Sequence, residues 1–148
     1  MNLVSVILPV FNGERYLREA LDSILAQKGV NVEVIVIDDG STDNSHTILT
    51  SYANRIVYRQ QPNFGQAAAM NKGLKLVNGE YVAYLDVDDV CLPSRLFEQV
   101  KYLQIHPEAD LVYTTTEYID EYGSSLDVKH LKEPDPLQLL YQNYITHS

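Results

Sequence analysis

The stretch Val32-Glu33-Val34-Ile35-Val36-Ile37-Asp38-Asp39-Gly40-Ser41-Thr42-Asp43 decides the fold class. Its first half is an apolar run with Glu33 as the only charge, and its second half is a turn crowded with acids and small polar residues. A strand apolar on both faces belongs in a mostly parallel sheet with helices on each side. The side chains of the turn suit the cap of a following helix, to which Ile48, Leu49 and Tyr52 give an inner face. Working outward, the pattern repeats on both sides. Residues 3–9 form a β-branched, apolar run that leads to Asn12-Gly13. The spacing then changes: Leu17, Ala20, Leu21, Ile24 and Leu25 share one helical face, and Gly29 follows as a stop. Downstream, residues 56–60 read as a weaker third strand. Ala67, Ala68, Met70, Leu74 and Val77 read as a helix closed by Asn78-Gly79, and residues 81–85 as a fourth strand. Pro93 and Ser94 open a helix over about 95–105, and 111–116 reads as a fifth strand. Four alternations of strand and helix predict an open α/β sandwich without internal repeats.

Composition bounds the function. The 148 residues are 45% hydrophobic and 21% charged, with 7 Gly and 6 Pro, which is globular and fits one ordinary domain. The net charge of −9 argues against a nucleic-acid partner, whose phosphates demand a basic surface. Much of the acidity lies late: residues 108–148 carry 8 acids and 2 bases. The single cysteine, Cys91, excludes an internal disulfide and a thiolate metal site, and reads as a small buried hydrophobe. The first apolar run is broken by Ser5 and Pro9, lacks a basic leader and is too short to span a bilayer. A cytoplasmic protein is therefore expected, at most peripheral at the inner face of a membrane.

In open parallel sheets, ligands sit beyond the C-terminal strand ends. Those ends here carry residues 9–12, Asp38-Asp39 and Asp86-Val87-Asp88-Asp89. Carboxylates packed so closely repel one another unless a cation or solvent intervenes, and Mg²⁺ needs only one or two of them plus substrate phosphates. The plain alternative is a solvated acidic turn that caps the next helix; its place directly after an apolar strand favours the metal. Glycine-rich phosphate loops of the P-loop and dinucleotide types are absent, as is a G-x-S-x-G nucleophile elbow. His46, His106, His130 and His147 show no ligand spacing and read as surface or structural residues.

Taken in order, these blocks resemble family 2 glycosyltransferases with the GT-A fold. Residues 4–12 are similar to the family's opening strand, and Ser23 to Gln27 to the S-x-x-x-Q end of its first helix. Residues 33–43 resemble its second strand and acidic turn. Asn63-Phe64-Gly65 with Asn71-Lys72-Gly73 resembles its N-x-G and R-N-x-G segments, and residues 79–89 its G-E-Y strand and D-x-D motif. The resemblance implies an inverting transferase that moves a sugar from a nucleotide-diphosphate sugar, UDP-linked by family habit, to a glycan, lipid-linked or polysaccharide acceptor. It implies Pro9, Val10, Glu14, Asp39, Asn71, Asp86 and Val87 around the nucleotide. It also implies Mn²⁺ or Mg²⁺ held by Asp88 with Asp86. Met70 stands where the family often has Arg, which removes one phosphate or ribose contact.

On this resemblance, residues 1–107 form the nucleotide-sugar half, and 108–148 hold a fifth strand and the start of the acceptor-side half. The family's general base lies well beyond the D-x-D motif; Glu117, Asp120 and Glu121 sit too close to the fifth strand to serve. A truncated chain that binds donor but turns over poorly is therefore expected, with exposed apolar surface that would favour a homodimer. Two other readings stay open. One is a non-catalytic nucleotide-sugar or metal-binding module. The other is a phosphatase of the haloacid dehalogenase type, disfavoured because its D-x-D stands on the first strand.

Overall fold

The two longest apolar runs become the central strands of the sheet, each with a partner on either side. A computed structural model describes residues 2–120 and 123–129. Strand β1 (Leu3–Val10) lies parallel to β2 (Asn31–Asp38) along its whole length, from Leu3 opposite Asn31 to Val10 opposite Asp38. On its other side β1 pairs in parallel with β4 (Tyr81–Tyr84), and β2 pairs in parallel with β3 (Val57–Gln60). The sheet order is β3-β2-β1-β4. Strand order therefore reverses at β1, and the crevice between β1 and β4 is the topological switch point where open sheets bind ligands.

Alternation along the strands assigns the two faces. Val4, Val6, Leu8 and Val10 of β1, with Val34 and Val36 of β2, join one core. Onto it pack α1 (Leu17–Leu25), α2 (Ser45–Ser51) and α4 (Arg95–Ile105). Leu17, Leu21 and Ile24 of α1 are buried completely, each stabilising the fold by roughly 1.5–3 kcal/mol. The opposite face is thinner: Ile35 and Ile37 pack on Ala69 of α3 (Gln66–Leu74). Gly73 lets α3 approach closely, because a Cβ there would stand 2.6 Å from Ile7 Cγ2. Helices thus cover both faces, as the apolar strands require.

The N-terminal strand ends are tied by a polar latch. Glu33 accepts from Ser5 Oγ at 2.7 Å and from the Asn78 backbone and amide at 3.0 and 2.6 Å. Asn78-Gly79 therefore anchors the entry to β4, four residues beyond the end of α3.

The expected fifth strand is corrected. Of residues 111–116 only Thr116 is extended in a ladder; β5 is Thr116–Ile119, paired antiparallel with β6 (Ser125–Lys129) in a separate two-stranded sheet. The apolarity of Leu111 suggested burial, yet its side chain is 60% exposed. The decisive local signal is Gly123, whose positive φ of 81° turns the chain between β5 and β6. Glu117 lies exposed on β5, and Asp120 Oδ1 accepts the Ser124 N–H in that turn. His130, His147 and Glu121 lie outside the described residues.

Candidate functional site

The loops after β1 and β2 are stitched together before any ligand is considered. Asn12, at φ 52°, accepts from Thr42 N at 2.8 Å and donates its own N–H to Ser41 Oγ at 3.0 Å. The Gly13 N–H reaches buried Ser45 Oγ at 3.0 Å. Glu14 N donates to Asp43 Oδ2, and Glu14 Oε2 accepts from the Asn44 backbone and amide, all at 2.9 Å. The polar residues of both turns thus satisfy each other's backbone groups, with the Gly13–Ser45 bond the buried one among them.

Two aspartates at the end of β2 are almost wholly buried. Asp38 Oδ1 accepts the Ser41 N–H at 2.8 Å, and Oδ2 accepts the Tyr58 hydroxyl at 3.2 Å. Burial, then the neighbouring Asp38 carboxylate, pushes the Tyr58 phenol up to about 12. His46 joins this pair through Nδ1, 2.8 Å from Tyr58 Oη. Asp39 holds the next segment. Its Oδ1 accepts from Gln61 Nε2 at 2.7 Å and Phe64 N at 2.9 Å, and its Oδ2 from Gly65 N at 2.8 Å. Burial raises its pKa, but these three bonds outweigh burial and hold the carboxyl below its ordinary value. Asp39 thereby sets the chain at the start of α3.

The turn after β4 carries the second acidic cluster. Val87 rests on Gly13, where a Cβ would come within 2.5 Å of Val87 Cγ2. The following segment is moored to α1. Cys91 N donates to Ser23 Oγ at 3.0 Å, Gln27 Nε2 reaches Leu92 O at 2.7 Å, and Gln27 Oε1 accepts Leu96 N at 3.1 Å. Ser23 and Gln27 thus brace the segment that follows the acidic turn at residues 86–89. Cys91 is buried, and burial raises its thiol pKa, as expected of a small core residue.

These elements enclose a cleft of about 230 Å³ lined by Pro9, Val10, Phe11, Asp39, Gln66, Asp86, Val87 and Asp88. The expected residues Pro9, Val10, Asp39, Asp86, Val87 and Asp88 come together there. Glu14 does not: its carboxylate is turned to Asn44, and it borders a separate surface hollow with Arg15 and Arg18. Asn71 is also outside the lining, exposed on α3. It stands about 140° around the helix from Gln66, which does enter the cleft. Sequence reasoning missed Phe11 and Gln66, whose only signals are their places beside Val10 and after Gly65. Among the described residues no three His, Cys, Asp or Glu side chains converge as a metal site. Asp86 and Asp88 supply two oxygen-donor groups to the cleft.

The family model for glycosyl transferase family 2 matches residues 5–147. The chain belongs to glycosyl transferase family 2. A glycosyltransferase of Rickettsia felis is 44% identical over 127 residues, covering 84% of this chain and 21% of that protein. A second, from Rickettsia typhi, is 43% identical and covers 84% of this chain and 39% of its own length. The chain thus spans a fifth to two fifths of the length of these relatives. Among solved structures, S. aureus TarS in complex with UDP-GlcNAc is 31% identical with a TM-score of 0.63, over 72% of this chain and 32% of that one. The mannosyltransferase PcManGT from Pyrobaculum calidifontis, in complex with GDP-Man and Mn²⁺, is 31% identical with a TM-score of 0.62, over 68% and 32%. The fold is GT-A, a mixed α/β architecture on a parallel sheet. Among the described residues no helix is long and apolar enough to cross a membrane.

Proposed function

We propose that residues 1–107 form the donor site of an inverting glycosyltransferase that takes a UDP-linked sugar, and that 108–148 begin the acceptor-side half. The observation that carries this reading is the meeting of Pro9, Val10, Asp39, Asp86, Val87 and Asp88 in one cleft at the switch point of the sheet. Support also comes from the family and from neighbours bound to UDP-GlcNAc and to GDP-Man. Pro9, Val10 and Phe11 offer an apolar wall for a base. Asp39 accepts three hydrogen bonds of the about four a carboxylate can take, so one lone pair on Oδ2 is left for the N–H of a uracil-type base. The cleft is smaller than the ~300–1,000 Å³ of ordinary ligand pockets, so these residues alone enclose only part of a nucleotide sugar.

The donor set fits a hard cation: Asp86 and Asp88 are oxygen ligands, and diphosphate oxygens complete such a shell. Mn²⁺ or Mg²⁺ bound there would neutralise charge on the leaving diphosphate. Asp86 faces the ribose side, Asp39 the base, and an acceptor hydroxyl of a glycan, lipid-linked sugar or polysaccharide attacks the anomeric carbon from the opposite face as the bond from that carbon to the diphosphate oxygen breaks, the hydroxyl proton passing to a base outside the cleft. A second reading is favoured by one feature. All three carboxylates in the cleft are engaged in donor binding on this account, which leaves none there as general base; the chain alone would then bind donor without transfer. Family membership leaves the phosphatase reading without support.

Calorimetric titration with UDP, with and without Mn²⁺, tests the proposal, with GDP and ADP as controls. Metal-dependent binding selective for UDP is expected. Equal binding of all three nucleotides, or of none, overturns the donor assignment.

A further inference from the structure

Four polar side chains line the cleft: three are the carboxylates of Asp39, Asp86 and Asp88, and the fourth is the amide of Gln66. That amide is therefore the one side-chain hydrogen-bond donor in the lining. Its place is set by backbone. Gly65, at φ 88°, turns the chain into α3 while Asp39 holds the N–H groups of Phe64 and Gly65. The first helical residue then faces Asp86, and Gln66 Nε2 donates to Asp86 Oδ1 at 2.8 Å.

An amide has two N–H groups and an acceptor oxygen, and only one N–H is engaged among the described residues. The remaining N–H and carbonyl form a donor–acceptor pair. A hydroxyl, which both gives and takes a hydrogen bond, satisfies such a pair completely. A phosphate oxygen could only accept, and would set its charge against the carbonyl dipole. The match is to the vicinal diol of a ribose.

We propose that Gln66 is a positioning and specificity-determining residue: it orients the Asp86 carboxylate and, together with it, reads the ribose hydroxyls of a nucleoside diphosphate. This role rests on the donor-site reading above. Its test compares UDP with 2′,3′-dideoxy-UDP, both with Mn²⁺, in calorimetric titrations of the wild-type chain, Gln66→Ala and Gln66→Glu. The wild type should bind UDP about tenfold more tightly than the dideoxy analogue, the size expected for hydrogen bonds to one sugar. In Gln66→Ala, UDP binding should weaken about three- to tenfold while the preference for the ribose shrinks to about twofold. Gln66→Glu, which sets a fourth carboxylate against Asp86, should bind more weakly than Gln66→Ala. Because the side chain is exposed, thermal midpoints should match the wild type.

A loss of affinity equal for both nucleotides would move Gln66 off the ribose and overturn the proposal, as would unchanged binding in either variant. Failure of the wild type to bind any nucleotide overturns the donor-site reading itself, and this role with it.

Discussion

Two aspartate-rich turns border one cleft and use their carboxylates in opposite ways. After β2, every carboxylate oxygen of Asp38, Asp39 and Asp43 takes at least one hydrogen bond from within the protein: Ser41 N and Tyr58 Oη on Asp38, three donors on Asp39, Glu14 N and Ser45 N on Asp43. After β4, Asp86 accepts the Gln66 amide, and Asp88 is exposed, its carboxylate without a hydrogen bond among the described residues. The first turn is a scaffold made of charge, and the second presents charge. Acidic composition alone does not separate the two; the donors around each oxygen do.

The largest test of this contrast is Asp39→Ala. It leaves two backbone N–H groups and the Gln61 amide without their acceptor beside a buried site, so a loss of about 3 kcal/mol is expected in urea unfolding. Loosening of the start of α3 should follow, read as faster hydrogen exchange at Phe64 and Gly65. A stability close to wild type would make Asp39 a ligand residue rather than a structural one.

Gln27→Ala comes next, because it strikes the brace of the second turn without touching the cleft. Its amide joins Ser23, Cys91 and Leu92 carbonyls and the Leu96 N–H. Removing it should cost about 1–2 kcal/mol and weaken metal-dependent nucleotide binding by loosening Asp86 and Asp88. An effect on stability with none on binding would mean that the second turn holds its shape unaided.

Acid sharpens the contrast from the scaffold side. For Asp43, burial raises the pKa, but hydrogen bonds from Ser45 and Glu14 outweigh it and hold the carboxyl below its ordinary value, as at Asp39. A group whose pKa is lower folded than unfolded stabilises fully above the unfolded value and loses that contribution as pH falls through the folded one. Stability should therefore decline as pH drops below about 4. Asp43→Asn should flatten that decline by about 1 kcal/mol, followed by urea unfolding at several pH values. An unchanged slope would place the acid sensitivity elsewhere, with Glu33 and its Ser5 and Asn78 bonds the next group to change.

Much of this was legible in the sequence. Parallel strands followed from runs apolar on both faces, and the convergence of Pro9, Asp39 and Asp86 followed from strand ends sharing one edge. What escaped depends on side-chain direction. Glu14 lies close to the cleft in sequence, yet two Asn44 donors turn its carboxylate away. Asn71 shares a helix with Gln66 but not a face. Gln66 itself is an ordinary helix residue until Gly65 and Asp39 aim it. The strand expected at 111–116 failed for a different reason: apolar content does not make a strand without an adjacent edge to pair with, and Gly123 pulls the pairing further down the chain.

The smallest effect on stability, and the most telling, should come from Asp88→Ala. The side chain is exposed and no hydrogen bond among the described residues depends on it, so unfolding should shift by no more than about 0.5 kcal/mol. If Asp88 is kept for a cation, the same change should abolish the Mn²⁺-dependent part of UDP binding and leave any metal-independent part intact. The pairing of these two results is what distinguishes presented charge from scaffold charge. A residue that matters to binding but not to folding acts only through its ligand, whereas Asp39 is held by the fold whatever the ligand. If Asp88→Ala binds UDP with the wild-type metal dependence, Asp88 presents its charge to no cation, and the ion must be sought at Asp86 alone.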